Sequence, residues 1–188
     1  FLESVSLSLQ RNPHKIFADA IRYANRELIE KSKSNPELKG MGTTMVALTI
    51  IGDKAYVANV GDSRLYLMED SLMQITVDHS LVQEMIKIGE LSKEDARLHP
   101  DKNIITRAVG AGRDINADYF EFTITKDSIL LMCSDGLSNM VADDQIAVLL
   151  KSAEEPEKIG KKLIETANRN GGKDNIAVIV INSKSGEV

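Results

Sequence analysis

The sequence predicts an α+β fold in which antiparallel sheets carry helices on their outer faces. Three observations lead there. Apolar and β-branched segments follow one another across short turns such as Gly52-Asp53, instead of alternating singly with helices. Segments of helical period stand near the start and again after residue 140. Between them, Ser128-Ile129-Leu130-Leu131-Met132-Cys133-Ser134 is a nearly continuous apolar run bounded by turn residues, the pattern of a strand covered on both faces. A doubly wound nucleotide fold does not fit this order.

At 188 residues the chain can bury roughly 70% of its unfolded surface without staples. Its composition, 43% hydrophobic and 27% charged, is that of a globular protein. No apolar run approaches the roughly 18 residues of a membrane span. The 28 acidic and 23 basic residues leave a net charge of -5 with no basic stripe, which argues against a nucleic-acid partner. Cys133, the only cysteine, has no internal disulfide partner and reads as a small buried hydrophobe in a reducing, cytoplasmic setting. The chain opens at Phe1 without an initiating methionine or a cleavable leader, so a fragment is expected.

Asn12-Pro13 reads as an N-cap with proline in the first turn of an amphipathic helix over residues 13–33. Ser34-Asn35-Pro36 ends it. Strands follow at 43–51, 54–60, 64–68 and 73–77, with Asp62 at the tip of a hairpin in Gly61-Asp62-Ser63. Val82, Met85 and Ile86 mark a short helix closed by Gly89, and residues 92–95 resemble a capping box for another. Residues 97–103 are polar and poorly periodic, as in a mobile loop. Strands at 118–124 and 128–134 are expected to form a hairpin. Helices at 143–151 and 157–168 precede a last strand, 176–181, whose apolar character predicts a central position.

Asp135-Gly136 ends one strand, and Asp174 precedes another within Gly172-Lys173-Asp174-Asn175. If these strands are antiparallel neighbours, both carboxylates share one edge. Asp62 reaches the same edge if two sheets stack. Three carboxylates without His or Cys favour Mg²⁺ or Mn²⁺ over zinc, and such ions activate water and stabilise charge on a phosphoryl group. The alternative is that each Asp shapes its own turn. Gly40 to Thr44 lacks the lysine of a P-loop. His14 reads as a surface residue and His79 as a cap for the next helix. His99, in the mobile stretch, is either a plain loop residue or a group facing an anionic substrate. Ser63 has no His-and-acid partner set, and Arg64 either pairs with a buried carboxylate or meets substrate.

Seven motifs then fall into one order and spacing: Gly42-Thr43-Thr44; Ala58-Asn59-Val60-Gly61-Asp62-Ser63-Arg64-Leu65-Tyr66; Asp78-His79-Ser80; His99-Pro100; Ile105-Thr106-Arg107-Ala108-Val109-Gly110; Ser134-Asp135-Gly136-Leu137; and Gly172-Lys173-Asp174-Asn175. Together, from about Leu7 to Ile181, they resemble the PP2C-type protein serine/threonine phosphatases, bacterial subgroup. The resemblance implies a single domain over residues 1–188 with two stacked antiparallel β-sheets flanked by helices, an αββα sandwich. It also implies two Mn²⁺ or Mg²⁺ ions, a third in some members, and a bridging water that attacks phosphoserine or phosphothreonine without a phosphoenzyme.

On this resemblance Asp135 and Asp174 match metal ligands, and Asp62 with Asp135 matches the weaker third-metal site. Residues 82–103 match a flap in which His99 contacts substrate. Partners would be phosphorylated proteins, substrates of a bacterial Ser/Thr kinase. Asn139 replaces an acid found in some relatives. The family's N-terminal phosphate-gripping Arg, its Asn-Glu-Asp motif and its bridging Asp have no counterpart here. The expectation is therefore a domain lacking its N-terminal strands, with exposed sheet edges. The missing ligands motivate a second reading, a non-catalytic phosphatase-like binding module, and a third option is a metal-binding structural domain.

Overall fold

A computed structural model describes residues 12–152 and 154–183; Leu7, where the resemblance begins, lies outside them. In chain order the elements are helix α1 (Pro13–Ser34), a single 3₁₀ turn (Pro36–Leu38), strands β1 (Met45–Ile51), β2 (Lys54–Val60), β3 (Arg64–Met68) and β4 (Leu72–Gln74), and helices α2 (Leu81–Lys87) and α3 (Lys93–Ala96). Strands β5 (Asp118–Thr123) and β6 (Ile129–Cys133), helices α4 (Asp135–Ser138), α5 (Asp143–Leu150) and α6 (Pro156–Arg169), and strand β7 (Val178–Asn182) complete them. Two antiparallel sheets with flanking helices are thus what the sequence predicts and what the chain forms. The chain divides into two compact units, one ending at Gly61 and resuming over Asp78–Thr123, the other taking Asp62–Val77 and the chain from Ile124 onward.

In the first unit the strand order is β1-β2-β5. Gly52, at φ +62°, makes the β1–β2 turn that an L-residue adopts only with strain. The helix α1 begins where expected: Asn12 Oδ1 accepts the Lys15 amide at 3.0 Å, and Pro13 occupies the first turn. Its Ile21 is buried with Ala58, Val60 and Val109. Asn25, 1% exposed, accepts the Gly110 amide at 2.7 Å and donates to the Gly112 carbonyl at 2.8 Å, tying the 110–113 loop to the helix. The capping box at Ser92 is present, with its Oγ accepting the Asp95 amide and donating to the Asp95 carboxylate.

In the second unit the order is β4-β3-β6-β7. Strand β6 is covered on both faces, with Leu130, Leu131 and Cys133 buried. Helix α6 brings Ile159, Leu163 and Ala167, spaced by four, into the same core as Tyr66, Leu131 and Ile146.

Four expectations are corrected. Strands β5 and β6 do not form a hairpin: β5 pairs with β2 and β6 with β3. The Thr125 amide donates to Ser128 Oγ, which donates in turn to Glu69 at the end of β3, so the turn delivers β6 to β3. Asp62 is not at a hairpin tip either, because β2 pairs with β1 and β5 whereas β3 pairs with β4 and β6. Both backbone groups of Gly61 are taken by His79, which leaves nothing for a two-residue hairpin. Strand β7 is an edge strand among the described residues, and its Ile179 is 56% exposed. Finally, His79 does not cap α2; Ser80 does, accepting the Gln83 amide, while the His79 ring turns inward.

Candidate functional site

The candidate site is built from the second unit's sheet. Strand β6 runs antiparallel to β7 with Cys133 opposite Val178, so the end of β6 lies beside the segment entering β7. Ser134 fastens the two: its amide donates to the Ala177 carbonyl, its Oγ donates to the Asn175 carbonyl, and the Ala177 amide donates back to its Oγ, each at 3.0 Å. Gly136 completes the approach. A Cβ there would run into the Asn175 carbonyl, so only glycine lets the two segments close. Strand β3 pairs with β6 so that Arg64 faces Cys133, which places Asp62 at the same end of the sheet.

Asp135 and Asp174 are brought together. Burial pushes the Asp135 carboxyl above its usual range, and the neighbouring Asp174 charge pushes it further. The Gly136 amide and the Arg64 guanidinium act in the opposite direction without cancelling this. Asn139 Nδ2 donates to Asp135 Oδ2 at 3.2 Å, so the residue standing in the place of an acid orients the carboxylate instead. Asp174 also shapes its own turn, accepting the Asn175 amide at 2.7 Å. The turn-forming role and the pairing therefore coexist in one residue.

Arg64 donates to the Tyr66 hydroxyl at 2.9 Å, and that hydroxyl donates to Asp143 at 3.3 Å. Burial raises the Tyr66 phenol well above its ordinary value, so it stays protonated as the link in this chain. Arg64 and Tyr66 lie two apart on a strand and share a face, a signal present in the sequence. The Ser134 fastening and the Asp143 contact carried no local signal.

Half-buried Asp62 stands at the entrance to β3. Among the described residues, no group of three or more His, Cys, Asp or Glu side chains is placed to hold a metal ion. Asp135 and Asp174 form a carboxylate pair, and Asp62 lies at the same end of the sheet. Two mutually repelling, oxygen-only donors at the end of a buried strand fit a hard divalent cation, whose charge relieves the repulsion. His99 belongs to the first unit, where its Nδ1 accepts the Asp101 amide at 3.2 Å.

Comparisons with known proteins bear on the family of the chain. The family model for protein phosphatase 2C matches residues 2–85. The serine/threonine phosphatase stp of Listeria monocytogenes serotype 4b is 43% identical over 162 residues, covering 86% of this chain and 64% of the relative. Protein phosphatase PhpP of Streptococcus pneumoniae serotype 2 is 37% identical over 166 residues, covering 88% of this chain and 67% of PhpP. Among solved structures, serine/threonine phosphatase Stp1 from Staphylococcus aureus matches with a TM-score of 0.88 at 35% identity, over 91% of this chain and 68% of that one. The catalytic domain of the phosphatase PstP, in complex with two manganese ions, matches with a TM-score of 0.78 at 34% identity, over 86% of this chain and 67% of that one. The chain belongs to the protein phosphatase 2C family. It spans 64% of the length of the Listeria relatives.

Proposed function

We propose that the protein carrying this chain hydrolyses phosphoserine and phosphothreonine in proteins, with Mn²⁺ or Mg²⁺ held by Asp135 and Asp174 and a further cation position at Asp62. The observation that carries the reading is the Asp135–Asp174 pair at the end of β6, in a chain 43% identical to a named serine/threonine phosphatase. The manganese-bound relative supports the choice of cation. When bound, such ions lower the pKa of water and neutralise charge on the phosphoryl group.

The chain's own residues prepare that chemistry. Burial of Asp135 strips water from one carboxylate, and Asn139 and the Gly136 amide hold its direction. Arg64, anchored through Tyr66 to Asp143, keeps a fixed positive charge close to Asp135. Residues 82–103 act as the flap, and His99 contacts the phosphorylated segment, its imidazole suited to an anionic group. The substrates are phosphoproteins made by a bacterial Ser/Thr kinase in the cytoplasm; among the described residues no helix is long and apolar enough to cross a membrane.

The experiment is phosphate release from a phosphothreonine peptide by the full-length protein with and without Mn²⁺. Turnover is expected only with the metal, and Asp135→Asn should lower it by more than about 100-fold, the upper end of what even an indirect metal partner costs. Metal-independent turnover, or an unchanged rate in Asp135→Asn, contradicts the proposal.

A further inference from the structure

His79 lies 39 residues before Asp118 in the sequence, yet the two meet, with Asp118 at one ring nitrogen and the backbone of Gly61 at the other. The ring is 2% exposed. Its Nδ1 accepts the Gly61 amide at 3.0 Å, while the His79 amide donates to the Gly61 carbonyl at 2.9 Å. Asn59 Nδ2 donates to the same carbonyl at 3.3 Å. Gly61 itself sits at φ +107°, and a Cβ there would collide with the Thr44 side chain. Both backbone polar groups of this residue, and the space beside its α-carbon, are therefore taken.

The hydrogen-bond pattern also assigns the ring's proton. An Nδ1 that accepts a backbone amide carries no hydrogen, so in the neutral ring Nε2 carries it. Nε2 faces Asp118 Oδ2 at 3.1 Å and donates there. Arg107 Nη1 lies 3.1 Å from Nε2 but makes its own bond to Asp118 Oδ1 at 2.8 Å. Asp118 thus fixes the tautomer in which Nδ1 is free to accept, and Arg107 fixes Asp118. The His79 carbonyl accepts the Thr106 amide at 2.8 Å, which closes the arrangement on the Arg107 side.

We infer that His79 is a positioning residue for the candidate cation site: with Asp118 and Arg107 behind it, it clamps Gly61 and so sets the backbone path into Asp62, the next residue. The inference rests on the functional reading above for the role of Asp62, but the clamp has its own signature. Groups that stand behind a metal ligand commonly govern affinity by roughly 10-fold to 100-fold. Asparagine at position 79 can place an amide oxygen near the site of Nδ1, whereas glutamine reaches toward Asp118 and leaves the Gly61 amide without its acceptor.

The test combines NMR and Mn²⁺ titration on the full-length protein. In the unsubstituted protein a nitrogen–nitrogen scalar coupling should link the Gly61 amide to His79 Nδ1 across the hydrogen bond. His79→Gln should shift the Gly61 and Asp62 amide resonances and weaken Mn²⁺ binding by about 10-fold or more, and His79→Asn should restore much of both. Absence of the coupling, or equal Mn²⁺ affinity and equal Asp62 shifts in the Asn and Gln variants, overturns the clamp. The coupling requires no variant, so it decides the matter even if a substitution fails to fold. A protein that shows the coupling and the Asn/Gln difference but does not hydrolyse the phosphothreonine peptide would overturn the functional reading alone.

Discussion

At the scale of single residues, Gly136 is where the close approach of two segments depends on a missing side chain. Gly136→Ala should destabilise the fold by about 1–3 kcal/mol, as overpacking does, because the new methyl meets the Asn175 carbonyl rather than a yielding side chain. Urea denaturation checks this, and the variant should also bind Mn²⁺ more weakly, since Asn175 adjoins Asp174. A second residue-scale expectation concerns Asp118. Burial pushes its carboxyl up, but hydrogen bonds from His79 and Arg107 and the Arg107 charge more than offset it, leaving it below the ordinary 3.8. A carboxylate depressed in the folded state contributes stability that is present above its unfolded value and lost as pH falls through its folded value. Asp118→Asn should therefore flatten the acid limb of the stability profile below about pH 4, measured by thermal unfolding across pH. An acid limb identical to that of the parent protein would contradict the ion-pair account.

At the scale of elements, β6 carries the second unit. Leu131 is fully buried among Tyr66, Ile146 and Leu163, so Leu131→Ala should cost about 2–5 kcal/mol of stability in chemical denaturation. What the sequence made legible here was local. The Asn12-Pro13 start of α1, the both-faces-covered character of β6 and the Ser92 cap follow from side chains acting on their own neighbours, and each appears where expected. Strand pairing was legible across the Gly52-Asp53 turn of β1 and β2 and between β6 and β7, but not where remote residues decide it. The short connection from β5 to β6 looks like a hairpin loop, but its direction is set by Glu69, 59 residues from Ser128, at the end of another strand. The same holds for Gly61-Asp62-Ser63, whose hairpin-like composition is overruled by His79. Strand β7 reads as central because it is apolar, yet among the described strands it lies at the edge, with Lys54 and Glu121 showing by contrast how the other sheet guards exposed positions with an ion pair at 2.6 Å. The proximity of Asp135 and Asp174 was legible because one follows a strand and the other precedes its antiparallel neighbour; the Ser134 fastening and the His79–Asp118 pairing were not, because their partners are remote in sequence.

At the scale of the whole molecule, the proposed cation site implies that stability depends on the cation. Asp135 is held above its usual range, so in the metal-free protein its contribution is most favourable when protonated and is lost as pH rises through its folded value. A cation binding only the folded state at 100 times its Kd adds about 2.7 kcal/mol. For a chain of this size that corresponds to a rise in Tm of roughly 5–11 °C. Thermal scans with and without Mn²⁺ at neutral pH should show this rise. Asp135→Asn should abolish it while raising the Tm of the metal-free protein, because the variant no longer sets two carboxylates against each other. The opposite pattern, a metal-free variant less stable than its parent and still stabilised by Mn²⁺, would mean that the pair is structural.

The central claim, that the Asp135–Asp174 pair at the end of β6 is a divalent-cation site, is met most directly by calorimetric titration of Mn²⁺ into the full-length protein and into its Asp135→Asn variant. The account predicts saturable uptake by the first and affinity lowered by more than about 100-fold in the second. Equal uptake by both, or none by either, would contradict it.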